Sequence, residues 1–378
     1  MKSVAFIEHL GTHAGLDTYC KNTVEAISDN HDLEVHLFSD KRHFSDDYYS
    51  YDYFKNVFKG KVKLFKISKF YYAFLKSLLR AKIRKINIVH LHFYGVNNFY
   101  ALNLLLAKIF NFKVVATIHD IIELNENKQR IPKYLKSIIL LLDGIIFHSE
   151  YAKSIFQKDS SFSKVSNVNV IYGCDINFKN SLKTSRAQSL EKLKLSSDNR
   201  YILFFGQIKK IKNLSLLIKS MKQISKNIKD IKLIIAGKVW QDNFSDYEKL
   251  IDKLNLKDVI IPRIEFIPNN QVQDYFNISE FTILPYRRIY NSGVLIRSFS
   301  YKRSVIASNI PLFKELINEN TGYLFEENDE ISLSNIIIKA LNDNNKELHD
   351  NCYNFIIKLL DRKKISKKYH LFYKSIYS

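Results

Sequence analysis

A chain of 378 residues with 46% apolar and 13% aromatic content is long enough for two domains and too rich in core-forming side chains to be a disordered segment. Its three cysteines, Cys20, Cys174 and Cys352, are far apart and form no CxxC pair. That excludes a disulfide framework or cysteine zinc site and suits a reducing compartment. A formal charge of +20 calls for an anionic partner: nucleic acid, an anionic membrane or a phosphorylated substrate.

The opening MKSVAFIEHLG has too short an apolar run for a signal peptide and reads as a first strand, Ser3 to Glu8. A Gly-containing loop, His9 to Asp17, leads to a helix from Thr18 to Ser28 and a strand from Leu33 to Phe38. This β, loop, α, β start is that of a doubly wound sheet. The stretch Lys55 to Lys85 carries eleven Lys or Arg and no acidic residue, interleaved with Phe and Tyr. Within it, Lys61 to Ile67 reads as a third strand, followed by a helix to Arg84. Basic and aromatic residues on an amphipathic element fit an anionic membrane surface; a solvated face over core aromatics is the plainer alternative. No signature supports nucleic acid.

Further strands are expected at Asn87 to His92, Lys113 to Ile118, Gly144 to His148 and Asn169 to Tyr172. Helices are expected at Phe99 to Ile109, Pro132 to Leu142 and Ser149 to Gln157. The run Ile138 to Phe147 is cut by Asp143 and Gly144, so no membrane span is expected. A polar, Ser- and Lys-rich segment marks an inter-domain linker, with residues 1–176 before it, the linker at 177–199, a second domain at 200–355 and a C-terminal helix at 356–378 crossing back to the first.

The second α/β set begins with strand Tyr201 to Phe205, loop Gly206 to Asn213, helix Leu214 to Ile224 and strand Lys232 to Ala236. Helix Ser245 to Leu254, strands Val259 to Ile261 and Glu265 to Ile267, and helix Asn270 to Asn277 follow. The chain then reaches its most informative stretch. Strand Phe281 to Leu284 ends at Pro285, and a loop with Arg287, Arg288, Asn291, Ser292 and Gly293 runs into a helix from Val294. Strand Val305 to Ala307 closes this βαβ unit. A loop before a helix N-terminus, with free N–H groups and two arginines, suits a diphosphate. Helices at Pro311 to Ile317, Ile331 to Asn342 and Lys346 to Leu360 and a basic, aromatic tail complete the chain.

Taken together, GTHAGLDTY, VVATIHD, GIIFHSE, VIYGCD, ILFFGQIKKIKN, LIIAGK, FIPNNQVQDYF, the βαβ stretch and TGYLF resemble, in order and spacing, the GT-B glycosyltransferases of the group 1, GT4-like family. The resemblance covers nearly the whole chain. It implies two Rossmann-like doubly wound domains facing across a cleft, and a nucleotide-sugar donor held by the C-terminal one. Donor contacts carried over are Gly206, Gln207, Lys209, Lys212, Lys238, Pro268, Arg287, Asn291, Ser292, Gly293, Val294 and Arg297; Lys212 matches the family lysine. His119, Asp120 and Asp17 are the catalytic candidates, and His13 and Gly15 the acceptor or loop contacts. His90, His92 and His148 show no metal spacing and read as structural.

The chain departs from the family at two positions. Retaining members carry two glutamates eight positions apart, where this sequence has Ile289 and Arg297; it has instead an Asn291-Ser292-Gly293 loop. The expected activity is a hexosyl transfer from a UDP-sugar, or from GDP-mannose, to a polyprenyl-diphosphate-linked glycan of O-antigen, capsule or exopolysaccharide type. No metal or other cofactor is expected. The expected location is cytoplasmic, peripheral at the inner membrane face. A non-catalytic GT-B subunit that binds a glycan or a partner protein is the alternative, motivated by the missing glutamates.

Overall fold

The computed structural model describes residues 2–11, 16–29, 32–121, 131–162, 165, 167–173, 184–343 and 346–377. The chain divides into two compact units, residues 1–176 with 360–378, and residues 177–359.

The first unit alternates strands and helices: β1 (Lys2–Ile7), α1 (Leu16–Ser28), β2 (Leu33–Phe38), β3 (Tyr49–Tyr51), α2 (Lys63–Ile83), β4 (Ile88–Phe93), α3 (Asn98–Ile109), β5 (Lys113–Ile118), α4 (Lys133–Ile139), β6 (Gly144–Phe147), α5 (Glu150–Lys158) and β7 (Val168–Val170). Its seven strands lie in the order β3-β2-β1-β4-β5-β6-β7. All pairs are parallel. Parallel strands covered on both faces need unbroken apolar runs, and every residue of β4 and β6 is buried. Side chains start two of the helices: Asn97 accepts from the amides of Phe99 and Tyr100, and Ser149 from that of Ala152.

Two expected strands are not strands. Lys61 to Ile67 is coil leading into the first turn of α2, and the third strand is Tyr49–Tyr51. The alternation K-V-K-L-F-K-I mimics a strand, yet Val62, Leu64, Phe65 and Ile67 are all exposed and no sheet face buries them. Glu265 to Ile267 is irregular chain leading into a helix.

The second unit runs α6 (Arg186–Leu193), β8 (Arg200–Phe205), α7 (Leu214–Asn227), β9 (Ile231–Ala236), α8 (Phe244–Lys253), β10 (Ile260–Arg263), α9 (Asn269–Ile278), β11 (Ser279–Leu284), α10 (Gly293–Ser300), β12 (Val305–Ser308), α11 (Pro311–Leu316), β13 (Gly322–Phe325), α12 (Glu330–Asn342) and α13 (Lys346–Leu359). Its sheet has the order β10-β9-β8-β11-β12-β13, again parallel. The helix α6, in the stretch expected to link the domains, starts with a Ser185–Gln188 capping box and packs on α9. The segment TGYLF supplies the edge strand β13, a strand not among those expected from the sequence.

The last helix, α14 (Arg362–Tyr377), belongs to the first unit. Tyr369, Phe372, Tyr373 and Ile376 are buried there. Arg362 pairs with Asp29, just past the end of α1, and the Tyr377 hydroxyl accepts from the Ser3 amide at 2.7 Å. Among the described residues, no helix is long and apolar enough to cross a membrane.

In both sheets the strand order reverses beside the first strand, between β1 and β4 and between β8 and β11. Doubly wound sheets bind ligands at the carboxyl ends of the strands at such a point.

Candidate active site

In the second unit the reversal point gathers the phosphate-type residues. Strand β8 is followed directly by Gly206, whose φ of +91° is open to glycine without strain. A Cβ there would lie 3.2 Å from Cγ2 of Val294 and 3.3 Å from Nζ of Lys212, so these three residues meet at one spot. The Gly206 amide donates to Ala236, and a Cβ on Gly237 would fall 2.0 Å from the Gly206 carbonyl oxygen. Two strand ends therefore touch through their glycines.

From Gly206 the chain passes Gln207 and Lys209, makes a 3-10 turn at Lys210–Lys212, and enters α7 through Asn213 at φ 54°. The Lys212 ammonium stands 5.2 Å from the Tyr286 ring centroid. No carboxylate among the described residues pairs with it. Burial, with Lys209 nearby, pushes its pKa down to about 7. The loop after β11 closes over this turn: the Arg287 amide donates to Ile211 at 3.0 Å, and its guanidinium to Asn213 Oδ1 at 3.2 Å. Ser292 caps α10, accepting from the Leu295 amide at 3.3 Å, so Gly293 and Val294 form the first turn facing Gly206.

Gly206, Lys212, Ser292, Gly293 and Val294 are thus brought together, with Arg287 beside them and Asn291 just before the Ser292 cap. Arg297 sits a turn further along α10 and is half-buried. Lys238 and Pro268 are exposed at the ends of β9 and beyond β10, further along the sheet.

In the first unit the reversal point gathers imidazoles and one carboxylate. The register pairs Ile7 with Leu91 and Phe93 with Ile118. The next residues along, Glu8 with His92 and Tyr94 with His119, therefore meet at adjacent strand ends. His92 Nδ1 lies 3.0 Å from His119 Nε2 and 3.3 Å from Glu8 Oε2. Glu8 Oε2 also accepts from the Tyr94 hydroxyl at 2.6 Å, and Oε1 from the Leu10 amide at 2.9 Å. The Tyr94 ring stacks on His119 with centroids 4.4 Å apart and 8° between planes. Tyr19 of α1 sits edge-on to His119 and hydrogen-bonds His148 Nε2 at 2.9 Å.

Burial dominates the electrostatics of this cluster. It raises the Glu8 pKa to about 7 against the two hydrogen bonds that favour the carboxylate. It holds His92 and His119 well below the usual imidazole range, with neighbouring imidazoles adding to the effect, and takes His148 to about 4 and His90 to about 3. These histidines are neutral at pH 7.

Glu8, His92 and His119 offer three ligand atoms within 4.8 Å of one another, a set that could hold a metal ion. The surroundings oppose it. A ligating imidazole ordinarily donates its other N–H to an acceptor, whereas His92 Nε2 is buried with no partner. Both oxygens of Glu8 already receive donors.

His119 is buried at the end of β5, and Asp120 follows it, half-buried. The backbone of Asp17 lies in the first turn of α1. Its side chain, and the whole of His13 and Gly15, lie outside the described residues. Sequence reasoning missed Glu8, Tyr94 and Tyr19 and set His92 aside as structural. The available signal was positional: Glu8 and Tyr94 each directly follow the last residue of a strand.

Two doubly wound units with a phosphate-type strand end in the second define a GT-B architecture. Residues 14–174 match the Glycosyltransferase Family 4 domain, and residues 185–358 match the family Glycosyl transferases group 1. The chain thus carries a glycosyltransferase domain of the Family 4 type followed by one of the group 1 type. The capsular polysaccharide biosynthesis glycosyltransferase CapM of Staphylococcus aureus is 29% identical over 154 residues. That match spans 40% of this chain and 39% of the relative. Sucrose-phosphate synthase from Thermosynechococcus elongatus superposes with a TM-score of 0.78 at 19% identity, covering 100% of this chain and 99% of that one. HepE of Anabaena, in complex with UDP-glucose, gives 0.74 at 14% identity, covering 99% and 100%.

Proposed function

We propose that the protein transfers a sugar from a nucleotide-sugar donor to a growing bacterial surface polysaccharide, with the donor diphosphate seated against Gly206, Lys212 and the first turn of α10. The observation that carries this reading is Lys212, a half-buried ammonium with a depressed pKa and no carboxylate partner among the described residues. It stands beside a positive-φ glycine and a helix N-terminus. A diphosphate supplies the missing negative charge, and the open α10 amides supply donors for its oxygens. Lys212 and Arg287 then stabilise the leaving diphosphate without a metal. A UDP-sugar is favoured over GDP-mannose, in keeping with the UDP-glucose bound by HepE.

In the first unit His119 meets the sugar or the acceptor, and Asp120 takes the proton of the attacking hydroxyl. The acceptor is a polyprenyl-diphosphate-linked glycan at an anionic membrane, the surface for which is α2. Its outward side carries Phe65, Lys69, Tyr72, Lys76, Leu79 and Ile83 at helical spacing, all exposed.

Thermal unfolding against UDP, GDP, CMP and dTDP compounds, with and without EDTA, tests the donor site, because a ligand that binds only the native state raises the melting temperature. One nucleotide class should stabilise, and EDTA should leave the shift unchanged. No shift with any of them at millimolar concentration would sink the donor assignment. Asp120→Asn should lower turnover while leaving nucleotide affinity intact.

A further inference from the structure

The polar cluster of the first unit fixes where its protons sit. His92 Nδ1 faces two groups at once, the Glu8 carboxyl at 3.3 Å and His119 Nε2 at 3.0 Å. One ring nitrogen carries either a proton or a lone pair, so the two contacts must be served by the same choice. Above pH 7, where Glu8 is ionised, a lone pair on Nδ1 would confront a carboxylate oxygen, and the ring proton would move to Nε2. There it would be a buried N–H with no partner, the costlier kind of orphan. With the proton on Nδ1, His92 donates toward both Glu8 and His119, and only a lone pair is left unpaired at Nε2. Two independent features therefore select the same tautomer.

The consequence passes to His119. Its Nε2 must accept from His92, so its own proton resides on Nδ1. A neutral imidazole in that state presents N–H as its other polar group: a hydrogen-bond donor and not a base. We infer that Glu8 is a positioning residue, which through His92 holds the His119 ring in its Nδ1-protonated tautomer. Tyr94 holds both ends of the device, its ring stacked on His119 and its hydroxyl on Glu8. A carboxylate that sets an imidazole tautomer is an established route to catalytic orientation. The role of His119 toward substrate rests on the transferase reading above; the tautomer assignment does not.

The test uses the full chain labelled with 15N-histidine, with His119→Asn and His92→Asn serving only to assign signals. Long-range proton–nitrogen correlations distinguish the two neutral tautomers directly. Above pH 7, with Glu8 ionised, the expected result is Nδ1–H for both His92 and His119. In Glu8→Gln a side-chain amide can donate to His92 Nδ1, which moves the His92 proton to Nε2 and releases His119 from its fixed state. Turnover should then fall about tenfold or more, while the affinity for the nucleoside diphosphate alone, held by the second unit, should change less than about twofold. A wild-type His92 protonated at Nε2 above pH 7 would overturn the inference whether or not the variant folds. So would a folded Glu8→Gln protein with unchanged His119 signals, or stoichiometric zinc binding lost in that variant, which would make the cluster a metal site. If the wild type turns over no nucleotide sugar, the transferase reading fails and the nitrogen signals alone decide the tautomer.

Discussion

Lys212 gives the donor site a pH dependence whose sign follows from its environment. In the free protein its pKa is pushed down to about 7 by burial and by Lys209. A diphosphate beside it favours the charged form and lifts the value. Above pH 7 the nucleotide must therefore recruit a proton as it binds, and affinity should fall by up to about tenfold per pH unit until the bound-state value is reached. Below pH 7 the lysine is already charged and contributes no slope. Lys212→Arg keeps a charge at all these pH values and should flatten the profile. Titration calorimetry in two buffers of different ionisation heat reads the proton uptake directly; none at pH 8 would remove Lys212 from the phosphate site. That lysine is singled out in the sequence by the family resemblance, which places a basic residue shortly after the Gly-ended strand. The Glu8–His92–His119 contact was not legible there. Its members stand at the ends of three strands, 84 and 27 residues apart in sequence, and only the strand register brings them together.

At the scale of elements, the two strand-end glycines do different jobs and should fail differently. A methyl at Gly237 would run into the Gly206 backbone at 2.0 Å, on a residue at φ +151°. Backbone cannot swing aside, so Gly237→Ala should cost roughly 3 kcal/mol of stability. At Gly206 the nearest atoms are the ends of Val294 and Lys212 side chains, at 3.2 and 3.3 Å. Gly206→Ala should cost only about 1–2 kcal/mol, yet it places a methyl where the phosphate is proposed to lie. Urea unfolding and nucleotide titration of the two variants separate the effects: if Gly206→Ala binds nucleotide as well as the wild type, the diphosphate lies elsewhere. The alternation of buried strands and capped helices was readable because parallel strands demand continuous apolar runs. The failures have a physical cause. At Lys61 to Ile67 the two-residue alternation belongs to a segment that buries neither kind of side chain, so periodicity carried no information on burial. β3 and β13 are edge strands of three and four residues, whose pairing comes from the neighbouring strand more than from their own composition.

For the whole molecule, the excess of positive charge is concentrated where apolar side chains are also left outside. On α2, Phe65 is 67% exposed, Tyr72 71%, Leu79 52% and Ile83 71%, with Lys69, Lys76 and Lys82 among them. A solvated basic face has no use for these four apolar side chains. A nucleic-acid surface would use the lysines but offers no counterpart to Leu79 and Ile83. A bilayer with anionic headgroups satisfies both, taking the apolar tips into the acyl boundary and the ammonium groups at the phosphate level. Two dependences follow. Binding to vesicles containing anionic lipid should weaken as salt rises, because exposed charges are screened beyond about 10 Å at 0.1 M ionic strength. It should also weaken about tenfold or more in Phe65→Ser/Tyr72→Ser, which leaves every lysine in place. Since both side chains are already exposed, that variant should keep its stability to within about 0.5 kcal/mol. Co-sedimentation with vesicles of graded anionic content measures both effects. A double variant that still binds like the wild type, but loses binding in salt, would mean that charge alone holds the surface. Equal binding to neutral and anionic vesicles would mean the lysines serve something else. Only loss on both axes ties α2 to a membrane-borne acceptor and gives the positive charge of this chain a part in delivering it.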